Sequence, residues 1–177
     1  IAYCLRKDGA RLLSEVIRVR GRLADLQVFE ETRGLRVGDT VEFESDMLSV
    51  ALGPGLLGQI YDGLQNPLPR LADQVGYFLE PGHYVHGLDE EKTWEFTPTA
   101  KTGDKVEAGD TLGTVPEGIF THRIMVPFGW KAGWTVEKPA PAGTYTVKDE
   151  IAVLVSAHGD RRSVTMQQNW PVKVPLN

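Results

Sequence analysis

Apolar and polar positions alternate in short runs over most of the chain, the period of two expected of half-buried β-strands. Residues 13–20 come close to strict alternation and carry Val16, Ile17 and Val19, β-branched side chains that suit a pleated surface. Gly21 ends the run. Residues 26–30, 40–44 and 47–52 predict three more strands, with Gly34 and the Gly38-Asp39 pair as turn positions. Together these read as the later strands of a small closed barrel. Strand-like sequence returns at 93–98, 123–127, 134–137, 144–147, 151–155 and 163–167. Gly103-Asp104 and Gly109-Asp110 predict tight turns, and residues 138–143 a rigid Pro- and Gly-containing loop. Residues 158–161 predict the turn of a hairpin that pairs 151–155 with 163–167. Residues 170–175 predict extended chain, because Pro171 and Pro175 disfavour helix in the residues before them.

Between these two β-rich regions, residues 52–68 break the pattern. They are rich in Gly and Pro yet apolar, whereas a surface linker is usually polar, so this connector is expected to pack against something. Residues 55–62 predict about two helical turns ended by Gly63, and 69–75 one further short helix. Leu56, Leu57, Ile60, Tyr61 and Leu64 fall at near-helical spacing, which predicts one apolar face.

Composition narrows the function. The chain has 177 residues, room for one large domain or two small ones, and 41% hydrophobic residues, enough for a core. A net charge of −5 argues against a nucleic-acid binder. Arg18, Arg20 and Arg22 form the densest basic cluster, and their spacing predicts one solvated strand face. Cys4 is the single cysteine, so no disulfide can form within the chain and a reduced cytosolic location fits. No run of apolar residues is long enough to span a membrane, and no signal peptide is visible. The chain starts with Ile1, not Met, and enters strand-like sequence almost at once; this is expected of a piece cut upstream and downstream.

The candidate chemistry is thin. The phosphate loop ending in Gly-Lys-Ser/Thr is absent, as is the Gly-x-Ser-x-Gly elbow. Gly53, Gly55 and Gly58 have the spacing of a dinucleotide loop, but no crossover to a parallel strand follows, and glycines also serve a tight turn where the chain changes module. His83 and His86, near Asp89, Glu90 and Glu91, are a possible metal pair or an ordinary solvated loop. Cys4 lies near Arg6 and Lys7 without a His or Asn placed to activate it. Residues 102–115 resemble the Gly-Asp hairpin of biotinyl and lipoyl carrier domains, with Val106 and Leu112 expected to point into a flattened β-sandwich. No lysine follows on the expected protruding hairpin; Lys131 comes later and lacks the modification context.

Read together, these stretches resemble one family, the catalytic A subunits of V/A-type rotary ATPases in their bacterial branch. Residues 53–68 are similar to the junction segment of that subunit. Residues 15–18, 27–35 and 37–39 resemble the end of its N-terminal barrel. Residues 94–98, 106–113 and 124–127 resemble its bulge insertion, and 143–147 with 170–173 its closing strands and the entry to the nucleotide-binding domain. Asn66 and Lys173 stand where Arg is common in the family, and the tail 174–177 is not the usual continuation.

The resemblance implies a mainly β fold: the end of a barrel at 1–52, a short helical connector at 53–76, a carrier-like bulge sandwich (a barrel-sandwich hybrid) at 77–168, and a lead-in to the nucleotide-binding domain at 169–177. It implies ATP synthesis or hydrolysis coupled to proton or sodium transport in the whole subunit, with Mg-ATP or Mg-ADP bound downstream of Asn177. No catalytic, cofactor-binding or metal residue is carried over to this stretch. The structural and interface candidates are Gly53, Pro54, Gly55, Leu57, Tyr61, Asp62, Gly63 and Gln65. The implied partners are the B subunits and other A subunits of a hexameric ring, and the peripheral stalk through the bulge. No nucleic-acid partner and no membrane insertion are expected, and the implied location is cytoplasmic, at the inner face of the cell membrane. A carrier-like or small-ligand-binding β domain is the alternative.

Overall fold

A computed structural model describes residues 1–76, 81–130 and 133–175. Contacts divide the chain into two units. Unit 1 comprises Ile1–Val50, Ile60–Val85 and Pro171–Lys173; unit 2 comprises Ala51–Gln59, His86–Trp170 and Val174–Asn177.

In unit 1, β1 (Ala2–Leu5), β2 (Arg11–Arg20), β3 (Leu23–Val28) and β4 (Thr40–Phe43) form an antiparallel sheet in the order β3-β2-β1-β4. Alternation places Ala2 and Cys4 on β1 inward, and they are buried with the consecutive Leu12 and Leu13 on β2. Ser14 is buried too, and its hydroxyl donates to the Ala2 carbonyl at 2.8 Å. A bulge between Val16 and Arg18 shifts the register of β2 on β3. Beyond it Arg18 and Arg20 are exposed and both pair with Asp25, the solvated reading of this cluster.

The chain crosses into unit 2 within β5 (Ser49–Leu52). The helix predicted for 55–62 is not there. Gly55 and Gly58 have φ of +106° and +78°, which an α-helix cannot contain, and the chain makes successive turns instead. Gly63 therefore ends no helix, and the expected apolar face does not form: Leu57 and Ile60 are 54% and 65% exposed. The second predicted helix is present as α1 (Leu68–Val75) in unit 1. Pro69 sits in its first turn, where its missing N–H costs nothing; Leu71 is buried, and Gly76 with φ +75° closes it.

Unit 2 is a sandwich of two four-stranded sheets. One runs β13-β12-β10-β7, from β13 (Arg161–Thr165), β12 (Glu150–Ser156), β10 (Trp134–Pro139) and β7 (Lys105–Val106). The other runs β11-β6-β8-β9, from β11 (Gly143–Thr146), β6 (Thr93–Pro98), β8 (Thr111–Glu117) and β9 (Phe120–Met125). β14 (Gln168–Pro171) follows. Inward positions build one core, with Trp94 and Phe96 on β6, Leu112 and Val115 on β8, Val136 on β10, and Ile151 and Leu154 on β12. The predicted hairpin pairs Val155 with Arg161 and Val153 with Ser163. Val106 and Leu112 point inward as the carrier-like pattern requires. Gly113 is fixed by sterics: a Cβ there would lie 2.2 and 2.4 Å from two ring carbons of Phe96.

The Gly-Asp turns share one device. In Gly103-Asp104 and Gly109-Asp110 the glycine has φ near +90°, and the Asp carboxylate accepts the backbone N–H three residues earlier, at 2.7 Å from Lys101 and from Glu107. Gly38-Asp39 in unit 1 repeats it, with Arg36 N–H donating at 2.8 Å. Residues 77–80, Lys131 and Asn177 lie outside the described residues, so the Lys131 reading has no counterpart here.

Candidate functional site

The connector candidates divide between the units. In unit 2, Gly53 and Pro54 are buried and Gly55 half-buried in one turn. Gly53 lets the chain pass close to its neighbours: a Cβ would meet Leu88 and the Met166 carbonyl at 3.0 Å each. Gly55 needs its left-handed φ, and a Cβ there would press Trp94 at 3.3 Å. The turn is held from β8. Glu117 is 6% exposed, and its Oε1 accepts the N–H of Gly55 at 2.6 Å and of Leu57 at 3.2 Å. Its Oε2 lies 2.7 Å from Nδ1 of His122 on β9. A carboxylate this buried is tolerated only because backbone dipoles and an imidazole surround it. Leu57 is turned outward and, with Phe120, Thr121, His122, Arg123 and Met125, lines an open groove of about 380 Å³.

In unit 1, Asp62 organises the loop 61–67. Its Oδ1 accepts the N–H groups of Leu64 at 2.9 Å and Asn66 at 2.8 Å, and its Oδ2 accepts Asn66 Nδ2 at 2.8 Å. Tyr61 bridges to Pro67, and Gln65 takes a left-handed φ of +64°. Gly63 is exposed, with open space where a Cβ would stand. Asn66 is 4% exposed, and its Oδ1 accepts the Val85 N–H at 2.8 Å, so both ends of the amide are used.

Beside this loop Glu30, Glu31, Asp62, His83 and Tyr84 line a cavity of about 230 Å³ with Leu64 and Leu71. Glu30 accepts the Gly82 N–H at 2.6 Å and the Tyr84 hydroxyl, and Tyr84 in turn accepts the Leu13 N–H at 2.7 Å. Burial raises the Glu30 carboxyl above its ordinary range, opposed by the Gly82 hydrogen bond. Among the described residues no cluster of three or more His, Cys, Asp or Glu could hold a metal ion, and no helix is long and apolar enough to cross a membrane.

Sequence reasoning missed Glu117, His122, Glu30 and Tyr84. Glu117 left a signal. It follows Val115 at the inward period of β8, and an acid at an inward position demands partners.

The geometry also tests the dinucleotide spacing of Gly53, Gly55 and Gly58. A phosphate needs free N–H donors converging at a loop that opens a helix. Here the donors of Gly55 and Leu57 are spent on Glu117, and turns follow instead of a helix. This loop does not fit a nucleotide phosphate.

Comparison with known proteins agrees with the two β-regions. Residues 85–173 match the barrel-sandwich domain of ATP synthase alpha/beta subunits, and residues 3–44 match the beta-barrel domain of the ATP synthase alpha/beta family. The V-type ATP synthase alpha chain of Treponema denticola is 57% identical over 92% of this chain and 28% of its own length. V-type ATP synthase alpha chain 1 of Treponema pallidum is 56% identical over 96% of this chain and 29% of its own. The V-type ATP synthase alpha chain of Borrelia hermsii is 49% identical over 97% and 30%. The chain thus spans under a third of the length of these relatives. With a barrel-type sheet and a barrel-sandwich unit matched in order along it, the chain belongs to the ATP synthase alpha/beta family, and its relatives there are V-type alpha chains.

Proposed function

We propose that this chain is the non-catalytic part of the catalytic A subunit of a rotary V-type ATP synthase, lying before the nucleotide-binding domain. The observation that supports this reading is the loop at residues 53–58: its Gly55 and Leu57 donors are taken up by Glu117 within the sandwich, which leaves this loop poorly suited to a nucleotide phosphate. The whole subunit makes or hydrolyses ATP with Mg²⁺, coupled to ion movement across a membrane at whose inner face it sits. The barrel strands of unit 1 serve contacts with the B subunits and other A subunits of the hexameric ring, and the sandwich of unit 2 serves the peripheral stalk. Gly53, Pro54 and Gly55 hold the connector, and Leu57, Tyr61, Asp62, Gly63 and Gln65 present or shape its surface. In domain terms, residues 1–52, 53–76, 77–168 and 169–177 are barrel, connector, bulge and lead-in.

Titration calorimetry with Mg-ATP on this chain tests the first half of the proposal. No heat of binding is expected, and saturable micromolar binding would refute it. Reconstitution of the full subunit with its ring partners tests the second half. Deleting residues 86–170 should spare ATP binding and abolish stalk attachment; stalk attachment that survives the deletion rules that role out.

A further inference from the structure

The structure assigns a small-oxyanion receptor to the Gly53–Gly58 turn, with the carboxylate of Glu117 as its resident ligand. The turn binds an oxyanion through its own backbone, and an exogenous carboxylate takes the place when Glu117 is removed.

Three observations carry this. First, two N–H groups separated by one residue converge on a single oxygen: Gly55 at 2.6 Å and Leu57 at 3.2 Å both reach Glu117 Oε1. Convergent backbone donors of this kind form a concavity with positive potential, the geometry of an anion nest. Second, the receptor is rigid independently of its ligand. Pro54 is fully buried, Gly53 is wedged between Leu88 and the Met166 carbonyl, and Gly55 lies against Trp94. The donors therefore keep their aim when the carboxylate is gone. Third, the second oxygen of the ligand has its own partner, Nδ1 of His122 at 2.7 Å, so a whole carboxylate is recognised and not one oxygen alone. Entry is available. Leu57 and His122, both partners of Glu117, line the open groove of about 380 Å³. Arg123 on the same groove makes no side-chain ion pair or hydrogen bond among the described residues, and its charge draws anions to the mouth.

The ligand arrives from a distance of 62 residues along the chain, which makes Glu117 a pin between the connector turn and β8 within unit 2. Formate and acetate are the matching probes: each has the two-oxygen head of the Glu117 side chain and fits the volume that truncation would vacate.

The experiment uses the 177-residue chain with Glu117→Ala and follows thermal unfolding in sodium formate, with sodium chloride at equal ionic strength as the control. The variant is expected to melt below the native chain. Formate should recover more than half of the loss in a saturable way, chloride should not, and the native chain should be indifferent. Amide resonances of Gly55 and Leu57 should move with the same saturation curve. Recovery by chloride and formate alike, or recovery with those two amides unmoved, overturns the proposal. Should Glu117→Ala fail to fold, Glu117→Gln keeps the shape and removes the charge. Hydrogen exchange at Gly55 and Leu57 should then quicken by about tenfold, because a charge-assisted bond is replaced by a neutral one. Exchange at the native rate would overturn the proposal equally.

Discussion

Replacing Gly113 by alanine should be the most damaging single-methyl change in unit 2. Gly113 lies on β8 opposite Pro98 of β6. The added Cβ would stand 2.2 and 2.4 Å from ring carbons of Phe96 and 2.8 Å from the Thr97 carbonyl oxygen. Ordinary contact between carbons is about 3.5–4.0 Å, so the ring must retreat by more than an ångström. It has nowhere to go. Phe96 is 2% exposed, and its ring meets Tyr145 edge-on at 6.0 Å. The strands cannot part either, because Thr97–Thr114 and Pro98–Gly113 are paired across the ladder. Overpacking of this kind costs about 1–3 kcal/mol, and displacing an aromatic pair adds about 0.5–1.5 kcal/mol. A total of about 3 kcal/mol should lower the melting temperature by about 6–12 °C in a chain of this size. Differential scanning calorimetry reads this directly. The pair G113A/F96L should recover part of the loss, since the shorter side chain yields the space. A melting temperature for Gly113→Ala within about 1 °C of native would refute the reasoning, and so would a double variant no better than the single.

Other outcomes follow from single residues. Asp62→Ala removes the acceptor of three hydrogen bonds that shape the loop of unit 1 and should cost about 2–4 kcal/mol in urea unfolding, whereas Asp62→Asn should cost less. Glu30 has a raised carboxyl in the fold, so its stabilising share is full below the ordinary value of 4.5 and is lost as pH rises through the folded value. Glu30→Gln should therefore flatten the decline in urea midpoint between pH 4.5 and neutrality, and an unchanged slope would count against the assignment. Leu57→Asp, at a side chain 54% exposed, should leave the melting temperature of the chain unchanged while weakening assembly in the reconstituted complex. Native assembly by that variant would remove Leu57 from the proposed surface.

The sequence disclosed the strands better than the connector, and the reason is distance along the chain. Residues 93–98 are legible because Trp94 and Phe96 alternate with polar neighbours, and the strand found is Thr93–Pro98. The Gly-Asp turns are legible because each closes within four residues. β8 was harder: Gly113 and Pro116 interrupt its apolar run, although the first serves packing and the second sits on the exposed face. In the connector the near-helical spacing of Leu56, Leu57, Ile60 and Tyr61 predicts a helix that Gly55 and Gly58 forbid, because their left-handed backbone decides the matter. What surrounds that backbone lies far along the chain: Leu88, Trp94 and Met166 pack on the turn, and a carboxylate 62 residues away accepts its N–H groups, and no local pattern points to either. The junction resemblance points to Asp62, but its three acceptor contacts exist only where the loop closes on Asn66.

Unit 1 draws its residues from three separate stretches, and the third is only Pro171–Lys173. Those three residues matter: the Val172 N–H donates to the Leu48 carbonyl at 3.0 Å, and Lys173 pairs with Glu15 at 2.8 Å. During synthesis residues 1–50 emerge before the sandwich strands, yet this tether appears only after those strands have been made. The sandwich, by contrast, has its eight sheet strands in one uninterrupted stretch from Thr93 to Thr165. Vectorial synthesis thus makes the four strands of the first sheet available early and its Val172 and Lys173 tethers late.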